Sequence, residues 1–289
     1  MIEGQSLCDS AAGACMPAVP LMMAAGADDA PKLSLPEIQA ALASAMVETR
    51  YQPVVRLADR VLVGVEALAR LNHPARGTML PEAFVPQIED AGLAEQLTDL
   101  VAEAAFADVA GAALGPLGLI VSLNFPLDVL LLTTALTRLE AQRQAAGIPV
   151  ERVIIELTES RPVRDVGALR GALERLRQAG YQIVIDDVGP AVADLDTLLD
   201  LPFTGIKLDK ALVLQLDTDP TVLSEVERIM ARAKQRGLSV VAEGIENVAQ
   251  WHRLCALGVD QAQGFLVAHP LPAAALPVWL KSWQELPAF

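Results

Sequence analysis

Short β-branched runs alternate with longer helix-periodic stretches from about residue 50 onward. The runs fall at residues 52–57, 61–68, 119–124, 153–157, 183–187, 205–208, 239–243 and 262–267. Helical periodicity fills 81–110, 127–146, 166–179, 194–199, 221–236 and 248–257. Gly147, Gly180, Gly237 and Gly258 follow four of these stretches, where a left-handed C-cap is wanted. Strands that alternate with helices in this way predict an α/β fold, a (β/α)8 TIM barrel. Only Ala58, Asp59 and Arg60 separate the first two runs. That connection is too short for a parallel crossover, so the barrel is expected to be modified, with its first strand antiparallel. Ahead of it, Ser34, Pro36 and Glu37 form a capping-box signature and predict a helix over 35–48. Residues 1–33 read as a flexible tail and 34–289 as one barrel domain.

Composition narrows the classes. The 289 residues are 53% hydrophobic, enough for one large core. A formal net charge of −14 argues against a DNA or RNA polymer as partner, which would call for a basic face. Cys8, Cys15 and Cys255 are too scattered for a zinc cluster or a disulfide framework, so a reducing, cytoplasmic setting is expected. The mildly apolar stretch 16–25 follows Glu3 and Asp9 with no basic residue, unlike a secretory signal. Residues 112–136 are long and apolar enough to span a bilayer, but Asn124, Pro126 and Asp128 interrupt them. A strand followed by a helix explains that segment better, and no membrane insertion is expected.

The residues that end the strands carry the chemistry, because C-terminal strand ends of a barrel open onto one face. The runs lead into Glu66, Asn124, Glu156, the pair Asp186 and Asp187, Lys207 and Glu243, with Gln263 at the start of the eighth. Any one acid alone reads as the first solvated residue after a buried strand. Five converging on one mouth with a single lysine would repel one another strongly without cations. Carboxylates with one amide suit hard ions such as Mg2+ or Mn2+, and adjacent aspartates suggest two of them. A two-ion clamp suits phosphodiester hydrolysis, with Lys207 holding the attacking water or offsetting charge on phosphorus.

These residues match a family. Glu66-Ala67-Leu68 resembles the signature tripeptide of the EAL domains, bacterial phosphodiesterases of cyclic di-GMP. Gln52-Pro53-Val54, the segment through Arg70, Asn124, Glu156-Leu157-Thr158-Glu159-Ser160 and Asp186-Asp187 resemble that family's motifs in order. So do Ile206-Lys207-Leu208-Asp209, Ala242-Glu243-Gly244-Ile245-Glu246 and Gln263-Gly264-Phe265. The resemblance covers roughly residues 46–280. It implies metal-dependent hydrolysis of cyclic di-GMP to linear pGpG. By position, Glu66, Asn124, Glu156 and Asp186 would ligate metal and Asp187 would serve a second ion. Lys207 and Glu243 would position or deprotonate water, and Gln52, Arg70 and Gln263 would contact substrate or complete its surroundings. Glu159 would anchor the loop after the aspartate pair. Paired barrels are common in the family, so a homodimer is expected, with regulation through a protein partner, that association or the tail.

One stretch departs from the pattern. Active members carry a DDFGTGYSSL-like sequence, whereas this chain reads Asp186-Asp187-Val188-Gly189-Pro190-Ala191-Val192-Ala193-Asp194-Leu195. Pro190 lacks an amide donor, and the alanines offer Glu159 no side-chain hydrogen bond. Weakened or conditional turnover is expected, and the alternative is an inactive cyclic di-GMP receptor or interaction module. A lysine Schiff-base aldolase built on Lys207 is disfavoured, because a lysine among acids keeps its proton. Trp251, Trp279 and Trp283 read as packing residues on late helices.

Overall fold

The computed structural model describes residues 32–158, 165–189 and 195–287. The expected tail up to residue 31, Glu159 and residues 190–194 lie outside them. Nine strands form one sheet among the described residues: β1 (Val47–Arg56), β2 (Leu62–His73), β3 (Gly77–Met79), β4 (Ile120–Pro126), β5 (Val153–Thr158), β6 (Gln182–Val188), β7 (Gly205–Leu208), β8 (Ser239–Ala242) and β9 (Gln261–Ala262). Their order is β1-β9-β8-β7-β6-β5-β4-β2-β3, and a further β1–β2 pairing closes the barrel, leaving β3 as a hairpin on β2. β1 runs antiparallel to both its neighbours, while the pairs from β2–β4 through β8–β9 are parallel. The modified TIM barrel read from the short hairpin is the observed fold.

The helices are α1 (Leu35–Leu42), α2 (Pro81–Asp90), α3 (Ala94–Ala110), α4 (Leu127–Leu130), α5 (Thr133–Ala145), α6 (Val166–Ala179), α7 (Leu195–Leu199), α8 (Lys210–Gln215), α9 (Pro220–Arg236), α10 (Val248–Leu257) and α11 (Leu276–Glu285). The capping box at Ser34 is present, with Glu37 N and the Ser34 backbone satisfied reciprocally. The helix stops at Leu42, however, not residue 48. Asn72 N already donates to Met46 O, and Val47 pairs with Leu71, so tertiary pairing extends β1 backwards at the helix's expense. The span 81–110 is two helices because Gly92 takes a φ of +71° between them. The 112–136 segment contains β4, α4 and the start of α5, and no helix among the described residues is long and apolar enough to cross a membrane.

The eighth run, expected over 262–267, pairs only at Gln261 and Ala262. Beyond it the chain folds against the loop after β8: Ile245 N donates to Gln263 O, and Leu266 N to Ile245 O. Gly264 allows this close approach, since a Cβ there would lie 2.2 Å from Ile245 N. α8 and β3 were not anticipated from the pattern, while α11 is the late helix expected to carry Trp279 and Trp283.

Strand alternation separates two rows of side chains. Val65, Ala67, Val121, Leu123, Val153, Ile155, Ile183, Ile185, Ile206 and Leu208 are all at most 2% exposed and join the apolar core. The alternate positions carry Glu66, Asn124, Glu156, Asp186 and Lys207. The late tryptophans pack as expected: Trp279 stacks on Trp283 at 5.8 Å, and Trp283 and Trp251 are buried.

Candidate active site

Lys207 is the hub. Its ammonium lies 2.8 Å from Glu156 Oε2, 3.0 Å from Asp186 Oδ1, 2.5 Å from Glu243 Oε1 and 3.3 Å from Glu66 Oε2. Contacts from one lysine on β7 to acids on β2, β5 and β6 and after β8 require every one of these side chains to face the lumen. Glu66, Glu156, Asp186 and Lys207 are buried. Leu208, the strand end that follows Lys207, accepts at its carbonyl oxygen from Glu243 N, which fixes the base of that glutamate.

Two amides finish the cluster. Asn124 Nδ2 donates to Glu66 Oε1 at 2.8 Å, so its carbonyl oxygen is the atom left for a cation or a donor. Gln263 Nε2 donates to both Glu66 Oε2 at 2.7 Å and Glu243 Oε1 at 2.9 Å. Its own Oε1 is buried with no hydrogen-bond partner. A buried acceptor in that condition is costly unless water or a cation meets it.

The aspartate pair needs a break in strand geometry. Neighbouring residues of a regular strand point to opposite faces. β6 shifts register between Ile185 and Val188, and Asp187 takes a φ of +52° with its N–H on Asp186 Oδ1 at 3.0 Å. That bulge re-aims Asp187 toward the mouth. Carboxylate oxygens of Asp186, Asp187 and Glu243 then lie within 4.8 Å of one another, as do those of Glu66, Glu156 and Asp186. Asp186 is common to both groups.

Five carboxylates against one ammonium leave the cluster strongly anionic, and the electrostatics follow. Burial pushes Glu156 up to about 8, with Lys207 opposing the rise and repulsion from Glu66 and Asp186 adding to it. Burial likewise raises Asp186 and Glu243, and desolvation with the neighbouring Asp186 charge raises Asp187 to about 6. Glu66 is the exception: burial opposes its charge, but Lys207 and the hydrogen bonds from Asn124 and Gln263 hold it below the usual carboxylate range. Burial also works against the charge on Lys207, and the four surrounding acids override it and hold its proton well above the ordinary lysine range. Such a lysine is no amine nucleophile. Hard oxygen donors from clustered carboxylates, with the amide oxygens of Asn124 and Gln263 among them, fit divalent cations well.

The outer residues are also brought together. Gln52 stands directly opposite Glu66 on β1, its Nε2 donating to Ala268 O at 3.2 Å. Arg70 is mostly buried and donates to Ala69 O at 2.7 Å. Sequence reading passed over Phe265, although Gln263-Gly264-Phe265 was in view. Phe265 is 51% exposed, its ring tilted against His269 with centroids 3.9 Å apart and Lys210 Nζ 5.1 Å from its centroid. An aromatic two residues after Gln263 was the available signal.

Residues 36–270 match the EAL domain family. A cyclic di-GMP phosphodiesterase of Pseudomonas aeruginosa is 34% identical over 80% of this chain and 39% of its own length. RocR, another cyclic di-GMP phosphodiesterase of that species, is 32% identical over 83% of this chain and 61% of its own. The chain therefore spans about two fifths to three fifths of these relatives. The structure of the PaMucR phosphodiesterase in complex with c-di-GMP superposes with a TM-score of 0.77 at 30% identity, covering 84% of this chain and 98% of that one.

Proposed function

Because the chain belongs to the EAL domain family, we propose that it hydrolyses cyclic di-GMP to linear pGpG with the help of divalent ions. The observation that carries this reading is the lumen cluster: five carboxylates from three strands and one loop, four of them in ion-pair contact with a single buried lysine. Likeness to relatives that are phosphodiesterases of this dinucleotide supplies the substrate.

Glu66, Asn124, Glu156 and Asp186 would hold one Mg2+ or Mn2+, and Asp187, sharing Asp186 and Glu243, a second. When bound, such ions supply Lewis acidity and neutralise charge on the phosphoryl oxygens. Lys207 and Glu243, 2.5 Å apart, would position the attacking water or take its proton. Gln263 Oε1 accepts from that water, while its Nε2 holds Glu66 and Glu243 in place. Arg70 offers a guanidinium to a phosphate, Gln52 an amide, and Phe265 a flat apolar face to a guanine.

The Pro190 to Ala193 stretch, which carries no side-chain hydroxyl, favours turnover that is reduced or conditional. It also keeps alive the reading as a cyclic di-GMP receptor without turnover. We further infer a homodimer, regulated through a protein partner and working in the cytoplasm, since the family pairs its barrels; light scattering that gave monomer throughout the micromolar range would overturn the dimer. Incubation of purified protein with cyclic di-GMP and Mg2+ or Mn2+, followed by chromatography, tests the function. pGpG should appear and chelation should abolish it, whereas tight binding with no product in either ion assigns the receptor.

A further inference from the structure

Strand register puts a second guanidinium in the row that leads out of the cluster. β1 and β2 pair without a shift from Val47 opposite Leu71 to Val54 opposite Gly64, and directly opposed residues share one face of a sheet. Tyr51 points outward, its hydroxyl donating to Asp108 Oδ2 of α3 at 2.6 Å. Its neighbours Arg50 and Gln52 therefore face the lumen. Opposite them stand Leu68 and Glu66, and one step further out Glu48 faces Arg70. The lumen row thus runs from Gln52 and Glu66, through Arg50 and Leu68, to Glu48 and Arg70, at about 7 Å per two-residue step.

Arg50 is held in that row. Its Nε lies 2.9 Å from Glu48 Oε1, and its NH2 donates to Glu48 Oε2 at 3.1 Å. Asn72 Nδ2 donates to the same Glu48 oxygen at 3.0 Å, and Thr78 Oγ1 on β3 donates to Asn72 Oδ1 at 2.7 Å. The small hairpin strand thereby braces Arg50 through Asn72 and Glu48. With Nε and NH2 engaged, NH1 keeps its two N–H groups, and the side chain is 31% exposed. Arg50 and Arg70 are near enough for the charge on one to act against the other. The row changes from acidic at its inner end to two guanidiniums and one carboxylate over its outer steps.

We propose that Arg50 is a substrate-contact residue for the second, uncut phosphodiester of the cyclic dinucleotide, an inference that rests on the hydrolase reading above. A cyclic dinucleotide holds its two phosphodiesters on opposite sides of the ring. With one at the carboxylate cluster, the other stands outward along this row, and Arg50 is the first cation it meets. A braced guanidinium with a free N–H edge is suited to a phosphate oxygen.

The test compares cyclic di-GMP with bis(p-nitrophenyl) phosphate, which has a phosphodiester to cut and no second one. Arg50→Ala should raise KM for cyclic di-GMP about tenfold or more and leave kcat and the small ester within about twofold. Arg50→Lys, which keeps the charge and guards against misfolding, should recover part of the loss. Thr78→Val, which only loosens the brace, should give a smaller rise in KM alone. Equal losses on both substrates, or an unchanged KM for cyclic di-GMP, overturn the role of Arg50 while the hydrolase reading stands. If the protein binds without turnover, the dissociation constant from calorimetry replaces KM in the same comparison. If the unsubstituted protein neither binds nor cuts cyclic di-GMP, the hydrolase reading has failed and this inference falls with it.

Discussion

The N–H of Asp187 is hydrogen-bonded to Oδ1 of Asp186 at 3.0 Å, across a backbone in which Asp187 sits at a φ of +52°. That one local bond turns two chain neighbours toward the same mouth. Backbone and carboxylate can be separated by substitution. Asp187→Gly removes the ligand yet keeps a residue at ease in the left-handed region, whereas Asp187→Ala removes the ligand and adds strain of about 1 kcal/mol or more. Both should lower Mn2+ binding and activity to a similar degree, while thermal melts place the alanine variant below the glycine one. Equal melts would mean that the bulge relaxes without cost.

Lys207 stands in ion-pair contact with four acids of the cluster, Glu66, Glu156, Asp186 and Glu243. Lys207→Met leaves buried carboxylates uncompensated, and removing one partner of a buried ionic cluster typically costs about 3–5 kcal/mol. The loss should be largest in chelator and shrink on addition of Mg2+ or Mn2+, because a divalent ion replaces the missing charge. Activity should fall at least about a hundredfold and not return with metal. A melting temperature equally depressed with and without metal would show that the lysine is a packing residue and not the charge balance of the site.

Much of this site was legible because strand ends announce themselves. Asn124, Glu156 and Lys207 each lie within two residues of a strand end, and a barrel sends such ends to one face; Glu66 was found by the same reading although β2, expected to stop at residue 68, runs on to His73. The antiparallel first strand followed from a connection too short to cross over. What escaped depended on distant pairing. α1 gives way at Leu42 because β2 offers Met46 and Val47 partners, which no local propensity reveals. The two-residue β9 was misjudged because 262–267 is apolar enough for a strand, yet Gly264 is spent on packing against Ile245. Arg50 was invisible without the fold, since its face follows from the outward Tyr51, bonded to Asp108, and from the register of β1 with β2.

Gly264 itself gives a sharp expectation. Any Cβ there would overlap both N and O of Ile245, at 2.2 and 2.3 Å, and these are backbone atoms that cannot rotate aside. Gly264→Ala should therefore displace the chain at Gln263, whose O accepts from Ile245 N and whose amide bridges Glu66 and Glu243. Destabilisation of about 3 kcal/mol is expected, with activity lost beyond what the fraction unfolded explains. An alanine variant as active per folded molecule as the parent would show that the loop absorbs the methyl without moving Gln263.

Far from the mouth, Glu140 ties α5 to the start of β6 and gives the barrel a measurable acid dependence. Its Oε1 accepts from Arg143 NH2 and Gln144 Nε2, both at 2.6 Å, and its Oε2 accepts from Arg143 Nε at 2.9 Å and the Tyr181 hydroxyl at 2.7 Å. The hydrogen bonds from Arg143, against a smaller opposing effect of burial and helped by Tyr181 and Gln144, lower its pKa from 4.5 to about 2. A carboxylate depressed by folding stabilises the folded state fully above its unfolded pKa and loses that contribution as pH falls toward the folded one. The window is therefore about pH 4.5 down to about 2. Because the side chain is 35% exposed, solvent screens much of the effect, and Glu140→Gln should lower the melting temperature at pH 7 by only about 2–4 °C. The gap between parent and variant should hold constant from pH 7 to 5 and be visibly smaller at pH 3, since the parent is then giving up the same charge. Melting curves of the two proteins recorded side by side test this, because titration of every other acid cancels in the difference. A gap that stays the same at pH 3 would show that Glu140 acts through shape alone and that its charge adds nothing to the junction of α5 with β6.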